Sequence, residues 1–162
     1  MISNLICQAV LDDEANAKFF GYIGVTAALV FANFGAAFGT YKSGIGLCSM
    51  GVLKPDAIIK SVIPVVMAGI LGIYGLIVSV ILIQKLGGPG YTYFKGFAHL
   101  SSGLCCGLSS LVAGFAIGFA GDAGVRALGQ QERIFVGMML ILIFAEAIGL
   151  YGVIISLIMA QS

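Results

Sequence analysis

The sequence predicts an all-α integral membrane protein in which four transmembrane helices form two tandem, duplicated helical hairpins. Of its 162 residues, 60% are hydrophobic and 9% are charged, whereas soluble domains are roughly 45–50% apolar and about 25% charged. Four long stretches are almost free of charge, and the two halves of the chain resemble each other. The net charge of +1, without a basic cluster, argues against a nucleic-acid partner.

The four predicted transmembrane spans are residues 19–41, 61–84, 96–121 and 134–162. Their only acidic or basic side chains are His99 and Glu146. Each span exceeds the roughly 20 apolar residues that a bilayer core requires. Because backbone polar groups must be satisfied within lipid, we expect helices. The alternation of polar and apolar residues typical of a membrane β-barrel is absent.

The connections divide the chain into four segments. These are an N-terminal segment at 1–16, a first hairpin at 17–84, a connecting loop at 85–95 and a second hairpin at 96–162. The cluster Gly-Gly-Pro-Gly at 87–90 is the strongest breaker of regular structure. Within the first hairpin, residues 42–60 are expected to form a loop with helical extensions, and Pro55 predicts a turn or helix start. Residues 122–133 join the last two spans.

Basic residues predict an orientation. The two loops within the hairpins hold five of them, Lys42, Lys54, Lys60, Arg126 and Arg133, against three on the other side, Lys18, Lys85 and Lys95. The side richer in Lys and Arg is normally cytosolic. We therefore expect cytosolic hairpin loops and luminal termini.

An internal repeat relates the halves. A shift of 77 residues places 68–75 over 145–152, so that Gly-x-Tyr-Gly recurs in register with Tyr74 over Tyr151. The third span repeats the glycines of the first in the same way, which indicates duplication of a hairpin. Chance similarity between glycine-rich spans is the alternative. One difference stands out, because Glu146 occupies the position of Gly69.

Small residues line the first and third spans. Three Gly-x-x-x-Gly pairs occur there, at Gly35 and Gly39, Gly103 and Gly107, and Gly114 and Gly118. Glycine lets neighbouring helices approach closely, which drives packing in lipid. Such faces suit the inside of a tightly curved ring, although ordinary packing within one chain remains open.

Glu146 is the candidate ion-binding residue because it lies near the middle of the fourth span. A charged group at that depth costs about 2.5–3.5 kcal/mol, and no Lys, Arg or His lies at comparable depth in any span. Desolvation should keep the carboxyl protonated where it faces lipid. A group that is neutral in lipid and ionised beside a cation of a neighbouring protein is a proton carrier. The alternative is a protonated side chain that merely links two helices.

Tyr74 and Tyr151 lie at equivalent depths and are candidates for a supporting hydrogen bond. Tyr74 is the expected partner of Glu146, because repeat packing should set the second span beside the fourth. Aromatic packing without a hydrogen bond is the alternative. His99 is expected at the membrane interface. Four mid-span polar side chains can bond to their own helices and receive no role, namely Asn33, Ser79, Ser109 and Ser110.

Catalysis and metal binding are not expected of this chain. No Gly-Lys dipeptide of a phosphate-binding loop is present, and neither a nucleophile–base pair nor a metal-ligand cluster is visible. The four cysteines, Cys7, Cys48, Cys105 and Cys106, lack zinc or redox spacing and are interpreted as small apolar residues.

Several motifs together resemble a known family. They are Met-Ala-Gly-Ile at 67–70, Tyr-Gly-Leu at 74–76, Gly-Phe-Ala-Ile-Gly at 114–118, Gly-Asp-Ala-Gly-Val-Arg at 121–126, Phe-Val-Gly-Met at 135–138 and Ile-Phe-Ala-Glu at 143–146. This sequence is similar, over roughly residues 19–159, to the c-type proteolipids of eukaryotic V-type ATPases.

The resemblance implies a proton-carrying, non-catalytic rotor protein. It implies a ring of c-type proteolipids, with the first and third helices inside and the second and fourth outside. Glu146 would exchange protons with subunit a of the membrane sector, whose arginine lies opposite the carboxyl group. The hairpin loops would contact subunit d of the central stalk. ATP hydrolysis in the soluble sector would turn the ring and acidify a vacuolar or endomembrane lumen.

The transported ion is expected to be a proton, with no cofactor. Sodium-translocating relatives carry Thr-Gln where Ile70 and Leu71 stand, and a hard cation needs such oxygen ligands. A self-contained four-helix pore or junction protein is one alternative, but it should show a polar helical face, which these spans lack. A structural tetraspan protein is another, and it would not need Glu146.

Overall fold

Four long helices make up the computed structural model, which describes residues 2–88 and 90–161, with side chains from Asp13 onward. The first helix spans Ile2–Gly51, the second Ile63–Leu86, the third Tyr93–Gln130 and the fourth Phe135–Ala160. All four are long and apolar enough to cross a membrane. The described residues contain no strand, so the prediction of an all-α membrane protein is confirmed. The side chain of Cys7, Pro89 and Ser162 fall outside the described part.

The first helix is longer than the predicted span on both sides. It continues through the acidic residues that precede residue 19, because Asp and Glu do not break a helix. Lys18 Nζ lies 3.7 Å from Glu14 Oε2, one turn away, which supports this extension. At the other end the helix runs to Gly51 before the chain turns.

The connections are shorter than the sequence suggested. Pro55 opens a short 3-10 turn, Pro55–Ala57, as expected of a proline in the first turn, and the helical turn Ile58–Ser61 leads into the second helix. Among the described residues between the hairpins, 87, 88 and 90–92 are non-helical. Gly90 has φ of +72°, a left-handed conformation that glycine adopts without strain.

The first and third helices form the centre of the bundle. Their mutual contact is the most extensive between any two elements, the second helix packs on the first, and the fourth packs on the third. The second and fourth helices also contact each other, but over a smaller area. Each hairpin therefore contributes one central and one flanking helix, and the junction between the flanking helices lies beside Glu146.

Candidate functional site

Glu146 is half-buried on the fourth helix, where that helix faces the second. The hydroxyl of Tyr74 donates a hydrogen bond to Glu146 Oε1 at 3.2 Å. The two residues are 72 positions apart in the chain, so the packing of one hairpin against the other creates the contact. The hydrogen bond expected between Tyr74 and Glu146 is thus present.

Gly149 lets the second helix pack closely on the fourth, next to Glu146. It lies one turn beyond Glu146 on the same helix, with Leu71 packed against it. A Cβ at this position would lie 2.8 Å from Leu71 Cδ2 and 3.8 Å from Tyr74 Cδ2. Because Leu71 is fully buried, it anchors this side of the second helix, and the tyrosine ring lies across the small residue.

No positive charge of the described chain neutralises Glu146. Within the described residues the ion pairs are Lys18 with Glu14, Lys60 with Glu132, and Arg126 with Asp122. All three lie towards the ends of the helices. Nor do the described residues contain a group of three or more His, Cys, Asp or Glu side chains that could hold a metal ion. The described residues therefore supply no cation to the carboxylate.

Tyr151 does not support Glu146 within the chain, so this expectation requires correction. It is 62% exposed, and its hydroxyl has no hydrogen bond to the described residues. The reason is helical geometry. Tyr151 follows Glu146 by five residues, a rotation of about 140° on an α-helix, and so points away from the second helix.

The six predicted packing glycines all lie at the contact between the first and third helices. A Cβ on Gly35 would lie 2.6 Å from the Ser110 carbonyl oxygen, and one on Gly107 would lie 2.6 Å from that of Ala27. Gly39, Gly103, Gly114 and Gly118 have neighbours on the opposite helix in the same way. The close packing occurs within one chain, the alternative that the sequence had left open.

Sequence patterns did not predict the polar contacts at the end of the bundle where the second helix ends and the third begins. Lys85 Nζ donates to the Ala160 carbonyl oxygen at 2.6 Å, which caps the fourth helix. His99 lies near a span end but is buried, with its Nδ1 at 2.6 Å from the Tyr91 hydroxyl. Burial raises the pKa of Tyr91 to about 12. A lone interfacial histidine was expected, and no sequence pattern signalled its enclosure by the connecting loop.

Serine side chains also link helices. Ser79, expected to bond to its own helix, donates instead to the Val25 carbonyl oxygen at 3.0 Å. Ser102 Oγ donates to the carbonyl oxygen of Ser156 at 2.7 Å and lies 2.9 Å from its hydroxyl. Ser109 does bond to its own helix, through the Cys106 carbonyl oxygen at 3.0 Å.

Comparison with known proteins assigns the family. The family model for the ATP synthase C subunit matches twice, over residues 23–82 and 100–159, which confirms the tandem repeat. The V-type proton ATPase 16 kDa proteolipid subunit c 2 of Caenorhabditis briggsae is 59% identical over 153 residues, which are 93% of this chain and 95% of the relative.

Two further relatives carry similar names. The c-type 16 kDa proteolipid of the V-type proton ATPase from Ascaris suum is 57% identical over 156 residues, 95% of this chain and 97% of the relative. The V-type proton ATPase 16 kDa proteolipid subunit of Chrysotila carterae is 62% identical over 150 residues, 90% of this chain and 92% of the relative. With its four membrane-crossing helices, the chain belongs to the c-type 16 kDa proteolipids of the V-type proton ATPase, integral membrane components that do not carry the catalytic site.

Proposed function

We propose that this chain carries protons across the membrane as a rotor protein, with Glu146 as the proton-binding group. The observation that carries the proposal is the hydrogen bond of 3.2 Å from Tyr74 to a half-buried carboxyl group that has no cation among the described residues. Lone carboxyl groups inside membrane helices are rare and typical of proton relays. Relatives named as proton ATPase proteolipids support the same function.

The protonated state suits passage through lipid. A neutral carboxyl group at mid-bilayer depth avoids most of the cost of a buried charge. Tyr74 donates to Oε1, which fixes the orientation of the group and leaves the second oxygen to carry the proton. When the proton leaves, the carboxylate needs a cation from outside the chain. The family resemblance implies that the arginine of subunit a is this partner.

Ring assembly provides the setting. In the proposal, copies of c-type proteolipids form a ring around an axis on the side of the first and third helices. The ring turns against subunit a, so that each Glu146 exchanges protons with the two half-channels of that subunit. Subunit d of the central stalk connects the ring to the soluble sector, where ATP hydrolysis drives rotation. The lumen that is acidified is vacuolar or endomembrane, the termini face it, and the cargo is a proton that needs no cofactor.

The deciding experiment is ATP-driven acidification of vesicles that hold the complex with Glu146→Gln. Gln preserves size and hydrogen bonding but cannot release a proton, so we expect normal assembly and complete loss of acidification.

Tyr74→Phe is a second variant, for which we expect a partial loss of acidification. Loss of one hydrogen bond, about 1 kcal/mol, should lower transport by about fivefold without abolishing it. Acidification that persists in an assembled Glu146→Gln complex would make the carboxyl group structural.

A further inference from the structure

A polar cavity of about 250 Å³ opens at the end of the bundle where the second helix ends, the third begins and the fourth ends. Its polar side chains are two lysines, two glutamines and one histidine, namely Lys85, Lys95, Gln84, Gln161 and His99. All five can donate hydrogen bonds, and none is acidic. Because all three helix ends contribute to the wall, a ligand in this cavity would contact both hairpins.

The positive charge of this cavity is not neutralised by the described residues. Their ion pairs use other basic side chains, those of Lys18, Lys60 and Arg126. Asp13 and Glu14, described acidic residues at the same end of the bundle, line a different cavity. Two ammonium groups that share a cavity repel each other, and an anion between them removes that repulsion. The cavity therefore favours a negatively charged ligand.

Hydrogen bonds fix part of the wall before any ligand binds. Lys85 Nζ donates to the Ala160 carbonyl oxygen at 2.6 Å, which uses one of the three N–H groups of the ammonium and leaves two for a ligand. His99 and Tyr91 are both 3% exposed, and His99 Nδ1 lies 2.6 Å from the Tyr91 hydroxyl. Groups that are already held in place lose little conformational freedom on binding, which favours affinity.

The cavity lies at the depth of the lipid headgroups. Ala160 follows Glu146 by 14 residues on the fourth helix, a distance of about 21 Å at about 1.5 Å per residue. From a carboxyl group near mid-bilayer, the hydrocarbon core ends after about 15 Å, and the headgroup layer extends about 5–7 Å further. Ala160, and the Lys85 ammonium bonded to it, fall within that layer. The anions present at this depth are the phosphates of phospholipids.

We propose that this cavity binds the phosphate group of an anionic phospholipid in the leaflet that it faces. Lys85 and Lys95 neutralise the phosphate, and the amides of Gln84 and Gln161 donate hydrogen bonds to its oxygens. The volume of about 250 Å³ is below the roughly 300–1,000 Å³ of sites that enclose a drug-sized ligand. The cavity therefore takes the headgroup and leaves the acyl chains in the bilayer. The bound lipid links the second helix to the third and fourth, independently of proton transport by Glu146.

The test measures how strongly the assembled complex selects anionic lipid. The complex is reconstituted in phosphatidylcholine vesicles with a trace of spin-labelled phosphatidic acid or spin-labelled phosphatidylcholine, and electron spin resonance gives the immobilised fraction of each. We expect the wild-type complex to immobilise phosphatidic acid in preference. Lys95→Gln, which removes no hydrogen bond seen among the described residues, should lower this preference about fivefold. Lys85→Gln together with Lys95→Gln should abolish it.

The matched control is Lys18→Gln, which removes the same charge at the same end of the bundle but outside the cavity. It should leave the preference unchanged. Equal losses from Lys18→Gln and Lys95→Gln, or a wild-type complex without preference, would overturn the proposal.

A second measurement separates the lipid from free phosphate. The detergent-purified complex is heated in inorganic phosphate and in sodium chloride of the same ionic strength, and we expect equal unfolding temperatures. A higher unfolding temperature in phosphate that disappears with Lys95→Gln would assign the cavity to the free ion and overturn the lipid as its ligand. Loss of proton transport through Glu146 would change neither measurement.

Discussion

The central and flanking helix pairs are held together in different ways. Between the first and third helices backbone meets backbone, and a Cβ on Gly114 would collide with the carbonyl oxygen of Gly35. Between the second and fourth helices side chains form the contact, with Leu71 and the ring of Tyr74 lying over Gly149. Side chains can change rotamer and a helix backbone cannot. The rigid pair therefore supports the fold, and the adaptable pair carries the group that changes protonation in the proposed function.

Substitution of Gly35 by alanine is the strongest test of this difference. The new Cβ would lie 2.6 Å from the Ser110 carbonyl oxygen and 2.7 Å from Leu111 Cα, and backbone cannot move aside. We expect a loss of about 3 kcal/mol or more in the free energy of unfolding, measured by denaturation in detergent. The control is Gly44→Ala in the same helix, where a Cβ meets nothing within 4 Å. It should be neutral or stabilising by up to about 1 kcal/mol. Equal effects would remove the distinction between the pairs.

Substitution of Gly149 by alanine probes the flanking pair. Its Cβ would press on Leu71 Cδ2 at 2.8 Å, the end of a side chain that can shift. We expect a stability loss of about 1–2 kcal/mol, together with slower acidification because Tyr74 is displaced from Glu146. Gly137→Ala, at an open position of the same helix, should lower neither quantity. A loss as large as that of Gly35→Ala would mean that the flanking contact is equally rigid.

Ser102→Ala sharpens the comparison within one hairpin. It removes the hydrogen bonds to Ser156 that tie the third helix to the fourth. Bonds of this kind between membrane helices average about 0.6 kcal/mol, and we expect a loss of that order in the same denaturation assay. Ser101→Ala is the matched control, since Ser101 bonds only to its own helix through Phe97 and Ala98. A larger loss from Ser101→Ala would contradict the assignment.

Lys60→Ala should have the smallest effect. The ion pair with Glu132 joins the two hairpin loops at 3.6 Å, but both side chains are more than half exposed. Exposed pairs contribute about 0–1 kcal/mol and are screened by salt. We expect a loss below about 0.5 kcal/mol in the free energy of unfolding at low salt, and a smaller one as the salt concentration rises. A large, salt-sensitive loss would show that the loops, rather than the central helices, hold the hairpins together.

Sequence alone predicted the four spans, the tandem repeat and the Tyr74–Glu146 contact. Span length, apolar composition and register are properties of the chain itself, and the repeat indicated which helices would be neighbours. The missed features depend on tertiary packing. Tyr151 shares the motif of Tyr74 but lies on a face that the described residues leave exposed. The enclosure of His99 depends on where Tyr91 packs after the turn between the hairpins, which periodicity does not report.

The lengths of the first and third helices have a mechanical consequence. From Asp13 the first contains 39 residues, and the third contains 38, so each is about 57 Å long at about 1.5 Å per residue. Because the hydrocarbon core is about 30 Å thick, both helices extend well beyond it. They remain in contact there, since Met50 packs against Gly129 and Asp122 against Gly46. Two helices packed along their length resist bending and twisting. A lateral force on the hairpin loops would therefore be transmitted along these helices to the level of Glu146.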